Sequence, residues 1–276
     1  MGIEWPLALF TIIAGAGAGL LAFAGVGEFF AAGKKARFFS IIIALILLVV
    51  GGCISLLHLG NPSNFMAAAT NLFSFSPISL ELIFLGLGVI VAIIYLVVVN
   101  REGSASKALG VCGIVVGVLF CYFSGHGYEV IAVRPAWATA TLTLSYCLSA
   151  LALGGFLFLG LQMVLKDEAA STKKVALIVL IVAALLTILY IAYGASAPLG
   201  DNAMIFWVCA VIIGGAIAAV CGVVAYLKNN MPMAWLGFIT VIVGAVALRA
   251  VMWLAGATQI PGFFDLAAHS RGLFPF

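Results

Sequence analysis

Phe38–His58 reads FFSIIIALILLVVGGCISLLH, a run of 21 residues that contains no Asp, Glu, Lys or Arg. At 1.5 Å per residue, an α-helix of this length crosses a hydrocarbon core of about 30 Å. A strand of a membrane barrel would alternate apolar and polar residues, and this run does not. Backbone groups in lipid must bond within their own segment, so the run predicts a transmembrane α-helix.

Seven further stretches of the chain share this apolar character. Hydrophobic residues make up 66% and charged residues 8% of the chain, and the mean hydropathy is +1.32. Soluble domains do not reach these values. We predict an all-α integral membrane protein, a single transmembrane domain over residues 1–276, whose eight helices form two four-helix bundles. The predicted helices cover residues 6–32, 38–58, 79–99, 108–127, 138–165, 175–197, 203–227 and 233–257.

The basic residues predict the orientation of these helices. Cytoplasmic loops carry an excess of Lys and Arg, and here most of these residues follow odd-numbered helices. Both termini are therefore predicted on the outer side of the cell inner membrane, and no nucleic-acid partner is indicated. The residues after odd-numbered helices are Lys34, Lys35, Arg37, Arg101, Lys107, Lys166, Lys173, Lys174 and Lys228, whereas Arg134 and Arg271 lie on the other side.

Besides Glu81 at the start of the third predicted helix, two charged residues fall inside predicted helices. Arg249 lies 16 residues into the eighth helix, about 24 Å from its inner end. An arginine without a partner there costs about 2.5 to 3.5 kcal/mol on insertion scales. We therefore expect a partner or ligand, with snorkelling to the outer headgroups as the alternative. Glu28 falls near the inner face, where we expect it to pair with Lys34 or Lys35 or to be exposed.

The six cysteines predict neither disulfide bonds nor a metal site. All six lie inside predicted helices, and none forms a CxxC pair. This pattern is typical of small apolar packing residues. We expect no metal to be held permanently by this chain. The cysteines are Cys53, Cys112, Cys121, Cys147, Cys209 and Cys221.

Polar and titratable residues converge at the outer ends of the predicted helices. A quinol has an apolar tail that needs a lipid-accessible groove, and its oxidation releases protons together with electrons. A lone histidine at a helix end is more often an interfacial polar residue. Among so many polar neighbours, however, a histidine, whose side chain titrates near neutral pH, suits the proton acceptor of a quinol site. The residues at this level are His58, Glu81, His126, Tyr128, Glu129, Arg134 and Arg249.

The same residues carry a resemblance to a known family. The chain resembles the membrane-anchor subunits of the dimethyl sulfoxide reductase type, the DmsC family, and more loosely the NrfD-type quinol subunits. The most specific element is His58-Leu59-Gly60-Asn61-Pro62, and the other elements are individually weak. These are Glu4-Trp5-Pro6-Leu7, Ser79-Leu80-Glu81-Leu82-Ile83, Tyr128, Arg134-Pro135-Ala136-Trp137, Gly154-Gly155 and Arg249.

The resemblance implies a function in anaerobic respiration. It implies a non-catalytic anchor that holds a molybdopterin catalytic subunit and a four-cluster iron-sulfur subunit on the outer face. Menaquinol would be oxidised near His58, with His58 as the proton acceptor, and its electrons would pass to the iron-sulfur subunit. The implied quinol-binding residues are His58, Glu81, His126, Tyr128, Trp137 and Arg249, and the implied docking residues are Gly60, Asn61, Pro62 and Pro135. Ala245 stands where the family often has an acidic residue, which leaves the partner of Arg249 open.

Two other classes of function remain open from the sequence. Eight apolar helices with few charges would also suit a secondary transporter or channel, although no paired broken helices or inverted repeat is evident. His58 and His126 could alternatively be the axial ligands of a b-type haem near the outer face. Haem ligands are usually buried within the membrane span, whereas both histidines are at helix ends.

Overall fold

The computed structural model describes residues 2–59, 66, 70–102 and 107–257, and in these residues the chain is helical without strands. Eight helices in this part are long and apolar enough to cross a membrane, which confirms the predicted all-helical membrane fold. They are α1 (Trp5–Phe29), α2 (Lys34–Ser55), α3 (Pro77–Glu102), α4 (Lys107–Glu129), α5 (Ala140–Val164), α6 (Ala169–Ser196), α7 (Gly200–Lys228) and α8 (Met231–Ala257).

Successive helices run in opposite directions, so the bundle has two distinct ends. We call the end at which α1 begins the upper end, and the opposite end the lower end. The upper end holds the first residues of α1, α3, α5 and α7 and the last residues of α2, α4, α6 and α8. A short 3₁₀ turn, Leu56–His58, continues α2 at this end.

α1 is the central helix, and it packs against α2, α4 and α5. Its glycines allow backbone contact with α5. A Cβ atom added to Gly154 would lie 2.1 Å from the carbonyl carbon of Gly19, and one added to Gly19 would lie 2.2 Å from the carbonyl oxygen of Ala150. Small residues at such positions are the usual means by which membrane helices approach closely. We call this contact the α1–α5 seam.

α7 is not a regular α-helix, which the sequence did not indicate. Phe206–Ile217 forms a π-helix, in which each N–H bonds to the carbonyl five residues earlier, and Ala218–Lys228 continues as α-helix. The π-helical part touches α8 backbone to backbone, because a Cβ added to Gly214 would lie 2.3 Å from the Cα atom of Gly244. It also packs against α6 through Phe206, whose ring centroid is 5.3 Å from that of Tyr193.

A buried ion pair joins α1 to α2 at the lower end. Glu28 Oε1 accepts hydrogen bonds from Nη1 of Arg37 and from the hydroxyl of Tyr95 on α3. The side chains of Glu28 and Arg37 are only 4% and 8% exposed. The expected pairing with Lys34 or Lys35, or exposure, was therefore wrong. Arg37 lies a further turn into α2, where its guanidinium reaches the carboxylate inside the bundle.

A second polar contact at the lower end joins the α1–α2 connector to the α5–α6 connector. Both carboxylate oxygens of Asp167 accept the backbone N–H of Gly33, at 2.8 Å each. Asp167 also accepts from Nε2 of Gln162 at 2.9 Å and from the backbone N–H of Glu168 at 3.0 Å. The side chain of Asp167 thus joins two connectors that are far apart in sequence.

All six cysteines are free thiols, and Cys209 is half-buried. Cys121, Cys147 and Cys221 are buried, as expected for packing residues. Cys53 and Cys112 instead are exposed on the outside of the bundle, on α2 and α4.

Candidate functional site

Arg249 is buried between α1, α5 and α8 in the upper half of the bundle, with 1% of its surface exposed. Its Nε donates to Thr11 Oγ1 at 3.3 Å, and Nη1 donates to Ser149 Oγ at 2.9 Å and to the carbonyl oxygen of Ala245 at 3.4 Å. Its guanidinium carbon lies 3.9 Å from the centroid of the Tyr146 ring, a cation–π contact. Burial excludes the alternative that this arginine snorkels to the headgroups.

Among the described residues, no carboxylate lies within ion-pair distance of Arg249. Its Nη2 atom is buried and bonds to none of them. Ala245, which stands where an acidic partner was considered, contributes only its backbone carbonyl. A buried charge without an ionic partner is costly in a membrane and is usually retained for function. Arg249 is therefore a functional candidate on structural grounds.

Four aromatic residues lie beside Arg249, and we call them the aromatic group: Tyr128, Trp137, Tyr146 and Trp253. The ring centroid of Tyr128 is 5.3 Å from that of Trp137, 5.5 Å from that of Tyr146 and 6.2 Å from that of Trp253. Trp137 donates from Nε1 to the carbonyl oxygen of Met252 at 2.7 Å. The structure thus brings together Arg249, Tyr128 and Trp137, three of the six residues predicted to bind quinol.

Glu81 lies in the first turns of α3, close to the aromatic group. Its Oε1 atom is buried and has no hydrogen-bond partner among the described residues. Glu81 and Arg249 both lie within electrostatic range of Tyr128 and of Tyr146. A buried carboxyl oxygen without a donor or acceptor partner costs free energy, so Glu81 is the second functional candidate.

An apolar groove runs between α2 and α3 in the upper half of the bundle. Its volume is about 500 Å³, within the range of ligand pockets in proteins. At its upper end the lining includes Leu56, two residues before His58, and Leu82, which follows Glu81. The upper end of the groove is therefore close in sequence to two of the predicted site residues. Its other lining residues include Leu48, Val49, Gly52, Cys53, Gly86 and Ile90.

His58 is exposed at the last position of the 3₁₀ turn that follows α2. Its Nδ1 atom bonds to the backbone carbonyl oxygen of Ser55. A carbonyl can only accept, so Nδ1 is the protonated nitrogen and Nε2 is the basic nitrogen of the neutral ring. This tautomer presents His58 as a proton acceptor. His58 comes two residues after Leu56 of the groove lining. It is exposed, whereas Arg249 is buried inside the bundle.

His126 belongs to a different set of contacts at the upper end. Its Nδ1 lies 3.2 Å from Oε2 of Glu129, and its ring stacks on that of Tyr122 with centroids 5.5 Å apart. The same Glu129 oxygen accepts a hydrogen bond from Thr143. His126 is thus paired with a carboxylate at the rim of the bundle and has no ring contact with the aromatic group.

The predicted docking residues are described in part. Gly60, Asn61 and Pro62 lie outside the described residues. Pro135 is exposed in the connector between α4 and α5. Its neighbour Arg134 places its guanidinium carbon 4.5 Å from the ring centroid of Trp137 in the same connector, and Trp137 in turn packs against Tyr128 and Trp253.

Three site residues gave no usable signal in the sequence. Tyr146, Ser149 and Trp253 are ordinary residues of apolar helices, and nothing in their spacing marks them. Tyr146 and Ser149 share one face of α5 because they are three residues apart. That face could be related to Arg249 only once the packing of α5 against α8 was known.

The fold and the site define a multi-pass membrane protein with a polar interior at one end and an apolar groove beside it. The family described as DMSO reductase anchor subunit (DmsC) matches residues 1–199, and the chain belongs to this family. It is accordingly a membrane anchor subunit of a DMSO reductase-type oxidoreductase complex. The match covers α1 to α6, whereas Arg249 and Trp253 on α8 lie beyond it. A search of curated proteins found no match.

Proposed function

We propose that this anchor subunit oxidises menaquinol at the upper end of the bundle and passes the electrons to an iron-sulfur partner subunit. The observation that carries the proposal is the apolar groove between α2 and α3, whose lining reaches Leu56, two residues before His58, and Leu82, the residue after Glu81. A quinol needs both an apolar channel for its tail and polar groups for its two hydroxyls. The groove would supply the apolar channel, and His58 and Glu81 would supply the polar groups.

The two hydroxyls of the quinol ring would meet different groups. Nε2 of His58 is the basic nitrogen of its ring, and it would take the proton from one hydroxyl. Oε1 of Glu81 lacks a partner and would bond the other hydroxyl and take its proton. The two electrons released with these protons would leave to the iron-sulfur partner, which this chain does not itself contain.

Arg249 would contribute through its charge, which acts on the neighbouring tyrosines, rather than by binding the quinol alone. It is within electrostatic range of Tyr128 and Tyr146, as is Glu81. In a medium of low dielectric constant, a fixed positive charge stabilises negative charge that develops nearby. We keep Tyr128 in the proposed site because it interacts with both charges, Trp137 because its ring packs on that of Tyr128, and His126 as a peripheral residue paired with Glu129.

The placement of the chain in the cell is part of the proposal. The distribution of Lys and Arg supports an upper end that faces outward and a lower end in the cytoplasm.

The helices fall into two groups. α1 to α4 contact one another in a ring, as do α5 to α8, which supports two four-helix bundles. The iron-sulfur and molybdopterin subunits would then dock on the outer face of the inner membrane, in anaerobic respiration, over Pro135 and the segment that contains Gly60, Asn61 and Pro62.

A variant of the proposed proton acceptor tests the function. In membranes that contain the whole complex, His58→Ala should abolish turnover driven by menaquinol. Reduction of the terminal substrate by an artificial donor to the catalytic subunit should continue. Leu57→Ala is the matched control, since Leu57 is an exposed neighbour in the same turn. Full quinol-linked turnover in His58→Ala would refute the role of His58, and a reduced-minus-oxidised spectrum with haem bands would favour the cytochrome alternative.

A further inference from the structure

Two glycines face the groove between α2 and α3. A Cβ atom added to Gly86 would meet nothing within 4 Å, whereas one added to Gly52 would lie 3.2 Å from Cδ2 of Leu85. Both glycines line the groove. The lack of a side chain at Gly86 therefore leaves the space of the groove open, instead of allowing two helices to touch as at the α1–α5 seam. A larger side chain at residue 86 would fill the groove without moving a helix.

The groove is open towards the surrounding membrane. Three of its lining residues, Val49, Cys53 and Ile90, are exposed on the outside of the bundle. The lining extends over nine residues of each segment, from Leu48 to Leu56 and from Leu82 to Ile90, which corresponds to a rise of about 12 Å. A chain-like apolar molecule could therefore enter sideways from the lipid.

The chemistry of the lining separates a tail site from a head site. The side chains along the groove are mostly aliphatic, and its lining contains no charged residue. The polar residues His58 and Glu81 come two residues after Leu56 and directly before Leu82, the lining residues at its upper end. We propose that the groove binds the first part of the isoprenoid tail of the quinol, and that Gly86 leaves the space that the tail occupies. This inference rests on the proposed function and adds the position and entry route of the tail.

Two cysteines of the native chain provide a direct test. Cys53 lines the groove, whereas Cys112 is exposed on α4 away from it. Each lies five residues from the end of its membrane span, Cys53 from the upper end and Cys112 from the lower end. Membranes containing the complex are treated with an apolar maleimide, and labelling at each cysteine is read by mass spectrometry. We expect menaquinone with its isoprenoid tail to slow labelling of Cys53 and to leave Cys112 unchanged.

The same labelling experiment includes a ligand without a tail. Menadione has the menaquinone ring and no isoprenoid chain, so it should not protect Cys53. Equal labelling of Cys53 with and without tailed menaquinone would overturn the inference. So would equal protection of Cys53 and Cys112, because that result would reflect partitioning of the quinone into lipid.

A kinetic experiment tests whether the space at Gly86 is used by the quinol tail. Gly86→Leu should raise KM for menaquinol by about tenfold, which corresponds to the burial of about two methylene groups. The value of kcat with menadiol should not change. Leu87→Phe is the matched control, since Leu87 is the next residue of α3, is exposed and does not line the groove. An equal loss with tailed and tailless quinols would overturn the assignment.

The outcomes distinguish this inference from the proposed function. If His58→Ala abolishes menaquinol oxidation but Cys53 is not protected, quinol oxidation stands and the tail lies elsewhere. If His58→Ala and Glu81→Gln both retain full menaquinol turnover, the proposed function itself fails. The labelling uses the unmodified chain, so it decides the position of the tail even where Gly86→Leu does not fold.

Discussion

The guanidinium carbon of Arg249 lies 3.9 Å from the centroid of the Tyr146 ring. A charged residue outside the family match therefore contacts a residue within the match. Tyr146 is on α5 and Arg249 is on α8, and the match ends at residue 199. The hydroxyl of Tyr146 also lies 2.9 Å from Sδ of Met252. The last helix thus completes a site that the matched helices begin.

Arg249→Met should weaken binding of a quinol-site inhibitor and leave the thermal stability equal or higher. The hydroxyl of Thr11 already donates to the carbonyl of Ala8, and that of Ser149 to the carbonyl of Tyr146. Removal of the arginine therefore strands neither hydroxyl group, and it relieves the cost of a buried unpaired charge.

The measurements for Arg249 are inhibitor titration and thermal unfolding of the detergent-solubilised complex. Arg249→Lys is a useful comparison, because lysine keeps the charge but lacks the planar guanidinium that stacks on an aromatic ring. Unchanged inhibitor affinity in Arg249→Met, together with a large drop in melting temperature, would instead mean that Arg249 is a packing residue.

Glu81→Gln should lower menaquinol turnover by about a hundredfold, the usual scale of a lost proton acceptor. Glutamine keeps the shape and the hydrogen bonding of the side chain but cannot take a proton, so the complex should still assemble. Asp201→Asn is the control, since Asp201 is an exposed acid at the same end of the bundle. Steady-state kinetics that gave equal rates for both variants would count against Glu81.

Asp167→Asn should destabilise the protein without affecting the quinol site. Asparagine has one acceptor oxygen in place of two, so the bidentate bond from the N–H of Gly33 cannot form. A lost charge-assisted hydrogen bond costs about 1.5 to 3 kcal/mol. Thermal unfolding should show a lower melting temperature, while KM for menaquinol stays the same. Glu168→Gln, an exposed neighbour, should have neither effect.

Gly154→Ala should prevent normal assembly, whereas Gly127→Ala should be tolerated. The new Cβ at residue 154 would lie 2.1 Å from backbone atoms of Gly19 and Leu20, whereas at residue 127 it would meet nothing within 4 Å. Overpacking against a backbone cannot be relieved by a change of rotamer. The amount of complex recovered from membranes after mild detergent extraction measures the difference, and equal yields would show that the seam can open.

The lengths of the apolar runs predicted the eight helices, because each segment in lipid must satisfy its own backbone hydrogen bonds and an α-helix does so. Helix ends were less certain, and α6 begins at Ala169 rather than at Val175. The position of Arg249 inside the membrane followed from counting residues along α8. Its contacts did not follow, since Thr11, Tyr146 and Ser149 come from helices whose packing no local pattern encodes.

The candidate site was predictable at the level of an end of the bundle and not at the level of contacts. Topology alone brings His58, Glu81, Tyr128 and Arg249 to the same end. The groove depends on how the faces of α2 and α3 meet, which their nearly uniform apolar sequences do not specify. The pairing of Glu28 with Arg37 was missed for a similar reason, because the nearest basic residues in sequence were not the nearest in space.

The α1–α5 seam has a consequence for the membrane voltage. Where the backbones at Gly19 and Gly154 leave no room for a single Cβ atom, water and ions have no passage between the two helices. The seam is therefore an electrical insulator in the middle of the protein. If quinol is oxidised at the upper end, as proposed, electrons and protons both leave from that end, and turnover of this chain is electrically silent.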